Sequence, residues 1–355
     1  MSSILFYDPA CQQPYDTRTL HAKATGGTEA TLTRIADALG AYVMQHNRTE
    51  AFGNYLPPGK LAGIEHVVLN RDSRALPVVR ELFPQACVYL WLHDLFRPGS
   101  KRGRRLASTA SLLRDMGVSV VCVSDTQRRG VEATLQWMGV ENVVRACTVY
   151  NPVADDLTPD GSTVDPSKLV FFSSPNKGLA YTLDAFRALR RHIPDLYLRV
   201  GNPGYRAGRA ADIPGVEWLG PQPQGSIHAQ VRSALCTFVP NFVIPETFGL
   251  VFAESRAVGT PVLTHDCGAA AEIVADPEQV LPLTRAHRAY EAAVHSLPIA
   301  WRTGPARIAD RLGLFDAYLE RISLWRSGGR PQTGPDPRFR LTTVLEQWRA
   351  LLGLA

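Results

Sequence analysis

The sequence predicts an α/β protein built in two similar halves, each a set of buried strands joined by helices. Three observations predict it. Short apolar stretches of strand length alternate with segments whose apolar residues recur at helical spacing, the pattern of strand–helix–strand units. The alternation stops at a polar stretch after Tyr150-Asn151-Pro152-Val153 and then begins again. A chain of 355 residues, 45% of them hydrophobic, fills two cores of ordinary domain size better than one.

In the first half, residues 4–7 read as the opening strand. A loop follows to Gly26-Gly27-Thr28-Glu29, and 31–39 then carries Leu32, Ile35, Ala36 and Leu39 at helical spacing. Paired glycines at a helix start make a plain turn or let backbone approach a ligand closely. The pattern is not Gly-x-Gly-x-x-Gly, so a nicotinamide fingerprint is absent. Further strands are expected at 41–45, 64–69, 87–92, 118–123 and 143–150. A helix is expected over 76–83, and Ser124-Asp125-Thr126 supplies N-cap chemistry for another reaching about Trp137. The strand at 87–92 ends in His93-Asp94, and open α/β sheets place ligands at such strand ends. The basic run of Arg97, Lys101, Arg102, Arg104 and Arg105 fits a solvated helix start, or a patch for an anionic acceptor or lipid headgroups. No aromatics interleave with it, which argues against single-stranded nucleic acid.

Asn151-Pro152 marks the boundary, because the residue before proline is held extended and 155–166 is polar and unpatterned. The second half repeats the alternation, with strands at 169–173, 196–200, 216–220, 235–239 and 261–263. Between the first two lies a helix expected to bury Leu183, Phe186 and Leu189, and helices are also expected over 224–234 and 250–258. Lys177, in Ser174-Pro175-Asn176-Lys177-Gly178, stands between a strand end and a helix. A lysine there is a plain surface charge or a point charge for a diphosphate. Helices over 285–295 and 305–325, a linker over 328–337 and a last helix over 341–352 complete the chain. The last helix has an apolar face of Leu341, Val344, Leu345, Trp348, Leu351 and Leu352, which needs a surface to cover.

The stretch that carries most chemistry is Pro245-Glu246-Thr247-Phe248-Gly249-Leu250-Val251-Phe252-Ala253-Glu254. Glu246 falls in a loop at a helix entrance and Glu254 about two turns inside, which separates the carboxylates by roughly 10–12 Å. A sugar nucleotide has hydroxyl-rich ends about that far apart with a diphosphate between them. Free N–H groups at a helix start suit the diphosphate, and carboxylates accept from hydroxyls. Two glutamates at this spacing are more often a loop residue and a solvated helix residue. The apolar neighbours of Glu254 bury its helix, and a buried carboxylate needs a partner.

Glu-Thr-Phe-Gly followed by Glu254-Ser255-Arg256-Ala257-Val258-Gly259-Thr260-Pro261-Val262 resembles the donor motif of retaining glycosyltransferase family 4. The resemblance extends over most of the chain through the Gly26-Gly27 loop, His93, the Tyr-Asn-Pro-Val linker and Lys177-Gly178-Leu179. It implies a GT-B fold: two Rossmann-like, doubly wound parallel-sheet domains facing across a cleft, with the C-terminal helix crossing back to the first domain. The domains would be 1–150 for the acceptor, 151–330 for the donor, and 338–355 for the returning helix. It implies a retaining transfer of sugar from a nucleoside-diphosphate sugar, UDP- or GDP-linked, to a hydroxyl acceptor, with no cofactor and no metal. Glu246, His93 and Lys177 would be catalytic. Gly27, Ser174, Lys177, Glu246, Phe248, Gly249, Leu250 and Glu254 would bind the donor. The acceptor would be a glycan or lipid-linked molecule of cell-envelope polysaccharide or glycolipid synthesis. Lys101, Arg102, Arg104 and Arg105 would allow peripheral contact with an anionic membrane. The family also has Gly-Arg ahead of the lysine, where this chain has Ser173-Ser174-Pro175, so one phosphate cation is missing. A nucleotide-sugar epimerase of the same fold and a non-catalytic sugar-nucleotide-binding protein are the rival readings.

The bulk numbers exclude other classes. A formal charge of +5 is too small to argue for nucleic acid. The six cysteines form no Cys-x-x-Cys pair, and Cys87, Cys122 and Cys236 sit in apolar runs as expected packed thiols. No signal-peptide pattern and no run of about 18 apolar residues is present, so a cytoplasmic protein is expected. His265, Asp266 and Cys267 are adjacent but cannot readily converge on one ion.

Overall fold

A computed structural model describes residues 2–202, 212–242, 244–296 and 312–354. The chain forms two compact units. One comprises Met1–Leu20, Gly27–Pro152 and Arg338–Ala355; the other comprises His21–Gly26 and Val153–Pro337.

The first unit is a seven-stranded sheet among the described residues. Its strands are β1 (Ile4–Asp8), β2 (Tyr42–Gln45), β3 (Tyr55–Leu56), β4 (His66–Asn70), β5 (Cys87–Leu92), β6 (Ser119–Cys122) and β7 (Ala146–Thr148). The order is β3-β2-β1-β4-β5-β6-β7, and every neighbour pair runs parallel. The chain therefore winds outward one way from β1 and then the other way from β4, and the β1/β4 gap is a topological switch point. Helices cover both faces, so the central strands are apolar on both sides. Leu5 and Tyr7 join a core with Val67, Leu69, Leu90 and Val120. Phe6 points the other way, onto Trp91 and Trp348. Trp348 lies in the last helix, Leu341–Leu352, whose buried residues are Val344, Leu345, Trp348 and Leu352. The Tyr89 hydroxyl donates to the Leu351 carbonyl at 3.2 Å, so the expected return of the C-terminal helix to the first sheet is present.

The second unit holds six strands among the described residues: β8 (Asp165–Phe171), β9 (Tyr197–Asn202), β10 (Val216–Pro221), β11 (Ala234–Val239), β12 (Val262–His265) and β13 (Val280–Leu281). Their order, β10-β9-β8-β11-β12-β13, is again parallel throughout and has its switch point between β8 and β11. All six residues of β11 are buried, as a strand with helices on both faces requires.

Several expectations need correction. Cys87 is not packed: it is exposed at the start of β5, while Cys122 and Cys236 are buried. Leu183 is only half-buried in its helix, Leu179–His192, where Thr182, Ala185, Phe186 and Leu189 form the inner face. The strand expected over 143–150 shrinks to Ala146–Thr148, because Val140–Val144 closes a turn in which Val144 donates to the Val140 carbonyl. β8 starts at Asp165, inside the stretch read as linker. The helix expected over 305–325 begins outside the described residues; its described part is Asp316–Gly328. Pro203 and Gly204, which follow the strand read at 196–200, also lie outside them.

Candidate functional site

The β8/β11 switch point brings together the residues singled out in the second half. The chain leaves β8 through Phe172-Ser173-Ser174 into a 3-10 turn, Pro175–Lys177, and enters the helix Leu179–His192 at Gly178. Ser174 is buried, and its carbonyl accepts from the Lys177 N–H at 2.8 Å. Gly178 has φ of +98°, and a Cβ there would sit 2.9 Å from the Cβ of Asn241 in the loop after β11. Glycine thus lets the two loops touch. Asn241 shapes its own loop, since its Oδ1 accepts from the Ile244 N–H at 3.0 Å.

That contact sets Lys177 beside Glu246. The Lys177 Nζ donates to the Glu246 Oε2 at 2.8 Å, with the lysine side chain 32% exposed and the glutamate 10%. The main chain of Glu246 is fixed from a third loop. Its carbonyl accepts from the Ala269 N–H at 2.8 Å, and residue 246 bridges Gly268 in parallel fashion. A Cβ at Gly268 would collide with the Glu246 carbonyl and come within 2.6 Å of its nitrogen, and Gly268 has φ of +73°. The position accepts only glycine without strain.

Phe248 is buried, and Gly249 begins the helix Leu250–Ala257 in the left-handed region, with φ of 90°. The Phe252 N–H donates to the Gly249 carbonyl at 2.9 Å, and the earlier N–H groups of a helix start are the kind that suit an anion. Glu254 is 5% exposed on the same helix. Its carboxylate accepts from the Gln224 amide and lies 3.6 Å from the His228 Nε2. A partner for this buried acid was expected, but the protein supplies one itself. Neither Gln224 nor His228 was singled out in sequence: they are ordinary residues of the helix Gln224–Arg232, and only the fold brings them here.

Two other expected residues belong to the first unit. Gly27 opens the helix Gly27–Ala38. His93 follows β5, with its ring 4.4 Å from Trp91 and its Nε2 buried without a hydrogen-bond partner among the described residues. Burial holds its pKa well below the usual histidine value, and the Arg71 charge lowers it further, so the imidazole is neutral. Arg71, which sequence reading passed over, follows β4 with φ of 66°. A left-handed non-glycine residue costs of order 1–2 kcal/mol. The basic run forms the helix Lys101–Ala107, capped by the Ser100 hydroxyl accepting from Gly103 N–H at 3.0 Å.

These features define a class: two Rossmann-like parallel-sheet domains in one chain, the GT-B fold class. Over the full chain the architecture is similar to HepE from Anabaena, solved with UDP and glucose, at a TM-score of 0.63 and 16% identity, covering 99% of this chain and 100% of that one. It is also similar to sucrose-phosphate synthase from Thermosynechococcus elongatus, at 0.58 and 16%, with 99% and 100% covered. In sequence, residues 166–297 match the family described as Glycosyl transferases group 1. That segment includes Ser174, Lys177 and the whole run from Glu246 to Glu254. The phosphatidyl-myo-inositol mannosyltransferase of Mycolicibacterium smegmatis is 29% identical over 163 residues, 44% of this chain and 42% of that protein. The chain spans half or less of the length of the curated relatives it matches. Among the described residues, no helix is long and apolar enough to cross a membrane.

Proposed function

We propose that the protein is a retaining glycosyltransferase that takes a sugar from a nucleoside-diphosphate donor, UDP- or GDP-linked, and passes it to a hydroxyl of a glycan or lipid-linked acceptor. The observation that carries this reading is the Lys177–Glu246 pair, 2.8 Å apart at the β8/β11 switch point beside a helix start.

Glu246 accepts hydroxyls of the donor sugar, and the N–H groups around Phe248, Gly249 and Leu250 meet the sugar and diphosphate. Lys177 is the cation for the departing phosphate. The demand of the reaction is stabilising that leaving charge as the sugar gains oxocarbenium character. Glu246 holds the lysine charge at 2.8 Å, so a donor phosphate reaching Lys177 would exchange one anion for another rather than meet a bare cation. Ser174 lies where the family has the Gly-Arg pair, and the helix start carries more of the phosphate potential here. Glu254 binds the ribose through the carboxylate that Gln224 holds in place. His93 and Gly27 serve the reacting sugar and acceptor from the first domain. The departing phosphate takes the acceptor proton, so no separate protein base and no metal is required. An envelope polysaccharide or glycolipid product is supported by the mannosyltransferase similarity, and a cytoplasmic site, peripheral at the membrane, follows from that product.

The test is release of nucleoside diphosphate in excess EDTA after a thermal-shift screen of nucleotide sugars has found the donor, since specific binding raises apparent stability. Glu246→Gln keeps the shape and removes the charge. It is expected to lower turnover more than a hundredfold with an unchanged melting curve. Full turnover in this variant would remove the donor-site reading, and an epimeric nucleotide sugar formed without acceptor and without diphosphate release would favour the epimerase reading.

A further inference from the structure

The geometry points to a phosphate-binding pocket within the first unit, lined by Arg71, Arg102, Arg105 and Ser73 at the ends of β4 and β5. It rests on the glycosyltransferase reading only in assigning that phosphate to the acceptor.

The pocket is a small cavity whose other walls are Leu92, Asp94, Phe96 and Leu106, with about 40 Å³ of free space. A single water needs roughly 10–15 Å³. The space therefore holds the free oxygens of one phosphate and excludes a sugar ring. Three arginines and one aspartate line it, with Asp72, bound by Arg74, near Arg105, so the lining keeps an excess of positive charge that an anion neutralises. Arg102 is tied to Asp94 at 2.9 Å. Among the described residues, the buried Arg71 Nε has no hydrogen-bond partner. A buried N–H left unpaired in this way is costly unless a ligand completes it. Arginine forks match phosphate oxygens in pairs.

The pocket is built rather than incidental. The Arg71 N–H donates to the Trp91 carbonyl at 2.8 Å, which pins the left-handed turn across β4 and β5. Such strain is kept where it serves a ligand. The loop after β5 is fixed by Gln127, whose amide donates to the Asp94 carbonyl at 2.7 Å. It is packed so closely that a Cβ at Gly130 would come within 2.6 Å of the Phe96 carbonyl. Ser73 is buried and hydrogen-bonded to Thr109 at 2.9 Å. The basic run is thereby divided: Arg102 and Arg105 line the pocket, and Lys101 and Arg104 do not. The phosphate is carried by a soluble phosphorylated polyol or by a lipid headgroup.

The experiment titrates inorganic phosphate into the Lys177→Ala protein, which silences the proposed donor cation, and follows heat by calorimetry. Binding is expected there. Arg71→Gly and Arg105→Ala in the same background are expected to weaken it at least tenfold. Arg71→Gly removes the side chain and relaxes the left-handed turn, so its melting temperature should not fall, and lost binding then cannot be unfolding. No phosphate binding by the Lys177→Ala protein, or undiminished binding after Arg71→Gly, overturns the pocket. Nucleoside diphosphate titrated into the otherwise unaltered protein and into Arg71→Gly tests the donor reading separately, and both should bind it equally. Cosedimentation with phosphatidylcholine vesicles, with and without phosphatidylglycerol, distinguishes the sources. Anion-dependent vesicle binding lost in Arg71→Gly indicates a headgroup, and phosphate binding without vesicle binding indicates a soluble ligand.

Discussion

Glycine 268 shows how single atoms set the proposed donor site. Its missing Cβ is the space through which the Glu246 main chain is held by the turn after β12. Gly268→Ala must move that turn, and it also places a side chain at φ of +73°, at a cost of order 1–2 kcal/mol. The variant should lose most turnover by displacing Glu246, while Gly161→Ala, also at positive φ but with open space around it, should cost stability alone. Equal turnover in both variants would separate Glu246 position from activity. The glutamate pair and Lys177 were legible in sequence because their residue types and neighbours are distinctive. The Lys177–Glu246 ion pair was not, because 69 residues separate them and only the β8/β11 adjacency brings them together. Glu254 was expected to be buried and in need of a partner. The identity of that partner was hidden for the same reason.

Elements were legible where the apolar run was long. β1, β5 and β11 are strands of five or six residues buried almost throughout, and all three stood out. β3 and β13 have two residues each, too few for any periodicity to show. The helix Thr17–Ala22 was read as loop; Asp16 accepts from the Arg18 N–H at 3.0 Å and holds its first turn, a local signal that the short pattern concealed. The last helix was legible from its apolar face, and Trp348 states its energetic importance. Trp348 is fully buried, with its ring 5.2 Å from Trp91 and 5.8 Å from Phe6. Trp348→Ala should cost about 3–5 kcal/mol, because the β-sheet cannot collapse around the space left. Urea denaturation measures it. A loss below about 1 kcal/mol would mean that the helix is not anchored by this ring.

At the scale of the whole molecule, neutral buried histidines set an acid limit on stability that the sequence did not reveal. His265 ends β12 with its Nδ1 donating to the Leu281 carbonyl at 3.0 Å. Its ring lies 4.4 Å from His287, and Phe242 and Tyr318 pack on it. Burial, then the neighbouring His287, lowers its pKa to about 4 from 6.5. His287 accepts from the Thr284 hydroxyl and faces the Leu314 carbonyl, and its pKa is lowered chiefly by burial. His93 in the first unit is lowered as well. For each, the unfolded chain binds the proton more tightly than the folded one, so stability rises with pH. The contribution is complete above the unfolded value of 6.5 and is lost as pH falls through 6.5 toward the folded value, about 4 for His265. Asp16, held to about 2 chiefly by its hydrogen bond from Arg18, acts in a different window, losing its contribution only below 3.8. His265 alone should therefore cost about 2 kcal/mol between neutral pH and pH ~5. Thermal melts across that interval should show a steep fall that His265→Gln makes shallower, since the amide can still donate to Leu281 and never takes a charge. Melts of the variant that run parallel to those of the unaltered protein would show that His265 is protonated without penalty in the folded state.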